Sequence, residues 1–130
     1  MTVEQRIEKL ERQVKLLSSA REVKAREFRL VDGKGRARAV LAMGKHGPGL
    51  EFLDKLGKLR ATLCLVQDRS ALALVDKQGK VRASFCLDKD GPRLIFLNTR
   101  GRVHATIYMD KGGPGLGLCD RQGRTVWSAP

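Results

Sequence analysis

Glycine recurs at a fixed interval along most of the chain. The spacing is 22 residues, and it runs without a break through Gly35, Gly57, Gly79, Gly101 and Gly123. An Asp or Asn stands three residues before each of these glycines: Asp32, Asp54, Asp76, Asn98 and Asp120. An uninterrupted period of this length is typical of a repeat architecture. The sequence therefore predicts two parts, an N-terminal segment over residues 1–20 and a domain of five tandem units over residues 21–130.

Each 22-residue unit has the pattern of a β-hairpin. Apolar residues stand two and four positions before each Asp or Asn, as Leu30 and Phe28 do before Asp32, and this alternation predicts a short strand. The Asp-x-x-Gly segment favours a type I turn with a G1 bulge, because Asp bonds the turn backbone and Gly adopts the left-handed conformation. A second strand follows, whose second, fourth and sixth residues after Gly we expect on one face. Gly-Pro pairs between the units are expected to interrupt the ladder.

The predicted fold is mostly β, with five hairpins in an antiparallel meander of about ten strands. A sheet with one apolar face must cover that face, so two arrangements remain open: a barrel closed within one chain, or a prism of several chains packed around an axis. Alanine at the fourth position of four units indicates close approach across the face: Ala39, Ala61, Ala83 and Ala105. Together with the N-terminal segment, these alanines favour the oligomer, and we expect a homotrimer rather than a dimer.

The N-terminal segment predicts an amphipathic helix. Its apolar residues step by four and three, as in the a/d stripe of a coiled coil: Val3, Ile7, Leu10, Val14 and Leu17. Thr2 and Gln5 have the spacing of a capping box. Two heptads are marginal as an isolated helix, so the helix either docks on its own domain or associates with copies of itself. The narrow stripe favours oligomerisation.

The run Phe28-x-Leu30-x-Asp32-x-x-Gly35-x-x-Arg38-Ala39 and its four successors resemble a widespread set of uncharacterised bacterial proteins. In that set, a short N-terminal helix, often with a membrane anchor, precedes tandem L-x-L-x-D-x-x-G-x-x-R-A repeats. The resemblance covers nearly the whole chain and implies no activity. This sequence has no anchor between Leu17 and Val23. We therefore expect a cytoplasmic protein as the sequence stands, or a cell-envelope protein associated with the membrane if an anchor has been removed.

The chain has a formal net charge of +12, which favours encounter with polyanions such as DNA or an acidic glycan. Basic residues recur directly after each glycine and two positions later: Arg36, Arg38, Lys58, Arg60, Lys80, Arg82, Arg102, His104 and Arg124. These side chains either form a polyanion-binding ladder or belong to a solvated sheet face on which they pair with the turn Asp residues. We favour the second interpretation.

Nothing in the sequence indicates catalysis. The cysteines, Cys64, Cys86 and Cys119, lack metal-ligand spacing and are expected to be free thiols. Cys64 and Cys86 occupy equivalent positions of their units, so a disulfide or a shared metal between them remains an alternative. We expect no cofactor, no metal and no enzymatic activity. The predicted function is a non-enzymatic oligomeric structural or scaffold protein, and the alternative is a polyanion-binding module.

Overall fold

The computed structural model describes residues 1–19, 22–67 and 69–130, and these form one helix and ten strands. The elements are α1 (Val3–Ser19), β1 (Glu27–Val31), β2 (Ala37–Gly44), β3 (Gly47–Leu53), β4 (Leu59–Val66), β5 (Arg69–Val75), β6 (Val81–Asp88), β7 (Gly91–Leu97), β8 (Val103–Asp110), β9 (Gly113–Cys119) and β10 (Thr125–Ala129). Every strand pairs antiparallel with the next strand in the sequence, so the ten strands form a single meander sheet. The prediction of a mostly β antiparallel meander is confirmed.

The sheet is open rather than closed into a barrel. β1 and β10 are its two edges, and no ladder joins them in the described ranges. The alternative of a barrel within one chain is therefore wrong. Both edge strands have only five residues, and short edge strands resist further pairing.

Tight turns at Asp-x-x-Gly connect the strands along one edge of the sheet. At Asp54, the N–H of Gly57 donates to the Asp54 carbonyl over 2.9 Å, and the Asp54 N–H donates to the carbonyl of Lys58, also over 2.9 Å. Asp54 Oδ1 accepts hydrogen bonds from the N–H groups of Leu56 at 2.9 Å and Lys58 at 3.1 Å. Gly57 has a φ of 76°. The predicted type I turn with a G1 bulge is confirmed, and the other four turns repeat its bonds.

A second bulge follows each of these turns, and the sequence analysis did not predict it. Leu53 pairs with Leu59 whereas Phe52 pairs with Ala61, so that Arg60 is the extra residue. The other four turns have the same shift, and the extra residues are Arg38, Arg60, Arg82, His104 and Val126. The bulge changes which side chains share a face, because cross-strand partners point the same way.

The second residue after each glycine consequently lies on the face opposite to the one we expected. Leu59 shares its face with Leu53, whereas Ala61 shares its face with Phe52. The expectation that the second, fourth and sixth residues point one way is wrong for the second: Ala37, Leu59, Val81, Val103 and Thr125.

Two-residue loops connect β2 to β3, β6 to β7 and β8 to β9 along the opposite edge. Gly44 pairs with Gly47, and Pro48 pairs with Met43 inside the ladder. The two other Gly-Pro pairs also begin strands, with Pro92 opposite Leu87 and Pro114 opposite Met109. The expectation that these pairs interrupt the ladder is wrong, because Pro is tolerated at the start of a strand, where its missing N–H is not needed.

One face of the sheet, the apolar face, consists of aligned rows of apolar side chains. A middle row runs across all ten strands: Phe28, Leu41, Leu50, Leu63, Leu72, Phe85, Leu94, Ile107, Leu116 and Ala129. An alternating row lies nearer the Asp turns: Leu30, Ala39, Phe52, Ala61, Leu74, Ala83, Phe96, Ala105, Leu118 and Trp127. The buried apolar residues of the described chain, Val75 and Cys86, lie on the other face, so the apolar face has no core of its own.

The N-terminal helix α1 is separate from the sheet. The predicted capping box is present, since Thr2 N donates to Gln5 Oε1 at 2.8 Å and Gln5 N donates to Thr2 Oγ1 at 3.2 Å. In the described ranges α1 does not pack on any strand. No helix among the described residues is both long enough and apolar enough to cross a membrane.

Candidate interface surfaces

The apolar face is open to solvent in the single chain. Leu63, Phe85 and Ile107 in its middle row are about half exposed. In its alternating row, Leu30 is 67% exposed and Trp127 is 49% exposed. Monomeric proteins rarely expose apolar patches larger than a few hundred Å². The whole apolar face is therefore a candidate interface.

The total surface of the chain supports this conclusion. A compact monomer of 14.4 kDa exposes about 6,800 Å². This chain exposes 10687 Å². The difference between these two accessible surface areas is comparable to the area that obligate oligomers bury at their interfaces.

The stripe on α1 is a second uncovered apolar surface. Its residues are between 49% and 77% exposed: Val3, Ile7, Leu10, Val14 and Leu17. Such a helix gains most of its stability from packing of its apolar stripe, and within one chain the described strands offer it none.

The bulged arginines connect successive hairpins. Nε of Arg38 donates to the carbonyl of Leu53 at 3.1 Å, and Nη1 of Arg38 lies 3.7 Å from Oδ2 of Asp32. Two further arginines repeat this arrangement at closely similar distances, and we call the three the bridging arginines: Arg38, Arg60 and Arg82. The expected pairing with turn Asp residues is confirmed for all three.

The accepting carbonyl lies at the point where the ladder between two hairpins ends. The β2–β3 ladder begins at Ala39 and Phe52, and Leu53 is one residue beyond it. The bulge at Arg38 moves the β2 backbone out of register there, and the guanidinium of Arg38 takes the place of a ladder donor. The bridging arginines are therefore half-buried structural groups rather than freely projecting cations.

The last two hairpins depart from this arrangement. In the fourth hairpin, Asn98 stands in place of the turn Asp and His104 in place of the bridging Arg, and Nδ2 of Asn98 lies 3.3 Å from Nε2 of His104. In the fifth, Val126 is the bulged residue. Among the described residues β10 is the last strand of the sheet, and the side chain of Val126 has no donor for a bridge.

The basic residues directly after the turn glycines differ in how many hydrogen bonds and ion pairs their side chains make. Arg36 bonds Asp32 Oδ2 at 2.9 Å, and Arg124 bonds Asp120 Oδ2 at 2.7 Å. Lys80 reaches the carbonyl of Thr99 at 2.7 Å, and Arg102 reaches that of Gln122 at 2.8 Å. Lys58 makes no side-chain hydrogen bond or ion pair within the described part of the chain. Most of the predicted basic ladder thus contributes to contacts inside the sheet edge.

The turn carboxylates are held in their charged form. The side-chain bond from Arg36, aided by the backbone N–H groups of Lys34 and Arg36, lowers the pKa of Asp32 to about 2. Backbone N–H donors, first that of the residue after the turn glycine, also lower the pKa values of Asp54, Asp76 and Asp120. These carboxylates therefore strengthen the turns as anions.

A set of exposed cations at the turn tips was missed by the sequence analysis. The set, which we call the tip cations, comprises Lys34, Lys55, Lys77, Arg100 and Arg121. Their side chains make no hydrogen bond or ion pair among the described residues. They were overlooked because they alternate between the second and third positions of the turn and so break the 22-residue spacing.

The cysteines are free. Cys64 pairs with Ala71, which in turn pairs with Cys86, so the two cysteines lie two strands apart, about 9.6 Å. A disulfide requires Cα atoms closer than about 7 Å, so the alternative of a Cys64–Cys86 bridge is wrong. Among the described residues, no group of three His, Cys, Asp or Glu side chains is placed to hold a metal ion.

The fold and its surfaces define a single-layer antiparallel meander with an uncovered apolar face and a detached N-terminal helix. No protein-family model matches the chain, and no curated protein matches it. Among solved structures, the chain is similar to the crystal structure of the S. aureus TarM G117R mutant in complex with Fondaparinux, alpha-GlcNAc-glycerol and UDP, at 10% identity and a TM-score of 0.46. The match covers 93% of this chain but only 22% of that chain. A likeness of this extent carries no argument about function.

Proposed function

We propose that this chain is a non-enzymatic structural protein of five 22-residue β-hairpin repeats that assembles into a homo-oligomer, with a trimer favoured. The apolar faces of the copies form a shared core, and the α1 helices form a coiled coil that aligns the copies. The exposed apolar face is the observation that carries the proposal.

Covering this face is energetically favourable. Burying the exposed half of a Leu or Phe side chain contributes about 1 kcal/mol. The face presents more than a dozen such side chains at 41% to 67% exposure. Every copy contributes a gain of that size, and the sum over two copies exceeds the free energy that their association costs in lost rigid-body motion, about 4–15 kcal/mol.

A second copy of the chain fits the relief of the face. The alternating row places a small Ala between large neighbours on successive strands, as Ala61 lies between Phe52 and Leu74. The relief therefore repeats every second strand, about 9.6 Å. Only a surface with the same period interdigitates along the whole sheet, and another copy has that period.

The distribution of side-chain sizes favours three copies. The middle row carries a large side chain on nine of its ten strands, such as Leu63 and Phe85, whereas the alternating row nearer the Asp turns carries a small alanine on every second strand up to Ala105, such as Ala61. In a triangular prism, middle rows point toward the axis and adjacent sheets converge at the corners. A continuous central row of large side chains, next to a row in which alanine alternates with large residues, suits that geometry better than two flat sheets face to face.

The test is the molar mass in solution, measured by light scattering on the full chain and on a chain lacking residues 1–20. We expect three times 14.4 kDa for the full chain and weaker association after the truncation. A monomeric full chain would overturn the proposal, and a mass of two chains would correct the copy number.

A matched pair of substitutions locates the interface. Leu63→Lys places a charge on the apolar face, whereas Thr62→Lys places the same charge one residue away on the other face, opposite Glu51. We expect Leu63→Lys to dissociate the oligomer and Thr62→Lys to leave its mass unchanged. Equal behaviour of the two variants would contradict assembly through the apolar face.

A further inference from the structure

The positive charge of the chain is concentrated along one edge of the sheet. We call the segments 32–38, 54–60, 76–82, 98–104 and 120–126 the Asp-turn edge. They hold thirteen Lys or Arg residues and four Asp, a formal charge of +9 out of +12. The described residues of the loop segments at the opposite edge, 43–48, 65–67, 69–70, 87–92 and 109–114, include four basic and three acidic residues. The molecule is therefore strongly polarised across the strand direction.

The tip cations are the groups of this edge that remain available to a partner. The bridging arginines are bonded to backbone carbonyls and turn carboxylates, whereas the tip cations are exposed and unengaged within the described residues. Successive turns are two strands apart, about 9.6 Å, so five tip cations span about 38 Å in single file. This row is a repeated, outward-facing array of cations.

We propose that the Asp-turn edge binds a nucleic-acid duplex through its phosphate backbone, with the tip cations as the contacting groups. A single-file row touches its partner from one side only. A flexible single-stranded polyanion would lose much conformational entropy on binding, and contacts on one side alone would offset little of that loss. A duplex, with a persistence length of about 50 nm, has little such freedom to lose.

The composition of the edge favours a duplex over a single strand. Its five segments contain no Phe, Tyr or Trp, and proteins that bind single strands use such rings to stack bases. A duplex turns its bases inward and its phosphates outward, so cations alone suffice to hold it. The edge also lacks a helix that could enter a groove, and binding is therefore independent of base sequence.

This inference rests on the charges of one chain and not on the proposed assembly. Light scattering can therefore contradict the assembly while duplex binding is observed, and the reverse can also occur. The test is fluorescence anisotropy of a labelled 30-base-pair duplex titrated with the full chain at several salt concentrations. Five phosphate contacts predict a slope of about −4.5 for log K against log salt, and about a 500-fold loss of affinity between 50 and 200 mM salt.

The chain offers a matched control. The triple variant Lys34→Gln, Lys55→Gln and Lys77→Gln removes three charges from the Asp-turn edge. The triple variant Lys45→Gln, Lys89→Gln and Lys111→Gln removes three exposed charges from the loop edge. We expect the first variant to weaken binding and to reduce the magnitude of the slope by about 2.7, and the second to change neither.

Three other outcomes of these binding experiments would overturn the proposal. Equal losses in the two variants would mean that net charge alone attracts the duplex. Retention of a sulfated glycan or of anionic vesicles without retention of the duplex would assign the edge to a different polyanion. Absence of duplex binding at 50 mM salt would remove the site. Circular dichroism and molar mass of both variants establish that fold and assembly are unchanged.

Discussion

Nε of Arg60 donates a hydrogen bond to the carbonyl oxygen of Val75 at 3.0 Å, and Nη1 of the same side chain lies 3.7 Å from Oδ2 of Asp54. Val75 is one residue beyond Leu74, where the ladder between β4 and β5 ends. One guanidinium thus joins the turn of its own hairpin to the backbone of the next. The bridging arginines are part of what holds this thin sheet together.

Replacing a bridging arginine should destabilise the sheet. We expect Arg60→Met to lower the free energy of unfolding by about 1–2 kcal/mol, because the Val75 carbonyl loses a charged donor. Arg60→Lys should recover little, since an ammonium cannot bond the carbonyl and face Asp54 in the same planar arrangement. Urea unfolding at fixed protein concentration measures the effect. Lys58→Met, two residues away and exposed, is the control and should cost under about 0.5 kcal/mol.

The turn glycines are required for their backbone conformation and not for space. A Cβ at Gly57 would meet nothing within 4 Å, but the φ of Gly57 is 76°. We expect Gly57→Ala to lower the free energy of unfolding by about 1 kcal/mol or more. Gly33→Ala, also with open space but without a positive φ, should be neutral or stabilising by up to about 1 kcal/mol. Equal costs for the two variants would contradict this explanation.

Acid should weaken the turns. Folding lowers the pKa of Asp32 to about 2 from its ordinary value of 3.8, and it also lowers the pKa values of Asp54, Asp76 and Asp120. A carboxyl whose pKa is lower in the folded state stabilises the fold above its unfolded pKa, and this stabilisation is lost as the pH falls. The thermal midpoint should be nearly constant between about pH 7 and 5 and should fall between about pH 4 and 2.

Asp76→Asn provides a check on the acid effect. Asn98 Oδ1 already accepts the two turn hydrogen bonds at 2.9 and 3.0 Å, so an amide can serve this position. The variant should lose part of its stability at neutral pH and lose less than the parent chain below about pH 4. A midpoint that rises on acidification would show that the turn carboxylates do not stabilise the fold.

Asn98 and His104 should behave as a coupled pair. Asn98→Asp combined with His104→Arg restores the Asp and Arg arrangement of the first three hairpins. We expect the double variant to be more stable than the sum of the two single variants by about 0.5 kcal/mol or more, because each single change leaves its new charge without a partner. Unfolding of all four proteins in urea gives this coupling energy, and strict additivity would show that the two sites are independent.

Local chemistry explains what could be predicted from the sequence. The turn at Asp54 and Gly57 and the cap at Thr2 and Gln5 involve residues at most four positions apart, so their spacing is sufficient. The bulge at Arg60 could not be predicted in the same way, because the bulged side chain bonds a carbonyl 15 residues away on the next hairpin. The engagement of the bridging arginines, and therefore the importance of the tip cations, depends on that nonlocal contact.

Each of the three arginine bridges runs from its own hairpin to the next one along the chain, so the first and last hairpins described are chemically unlike. Val126 has no side-chain donor and cannot form a bridge, whereas the hairpins that contain Arg60 and Arg82 both receive a bridge and donate one. Inner units of this kind are interchangeable modules. Duplicating one of them would lengthen the molecule by two strands, about 9.6 Å, and would leave both termini intact. Chains built on this plan should therefore differ in length by multiples of one unit, and growth should occur by insertion between the ends.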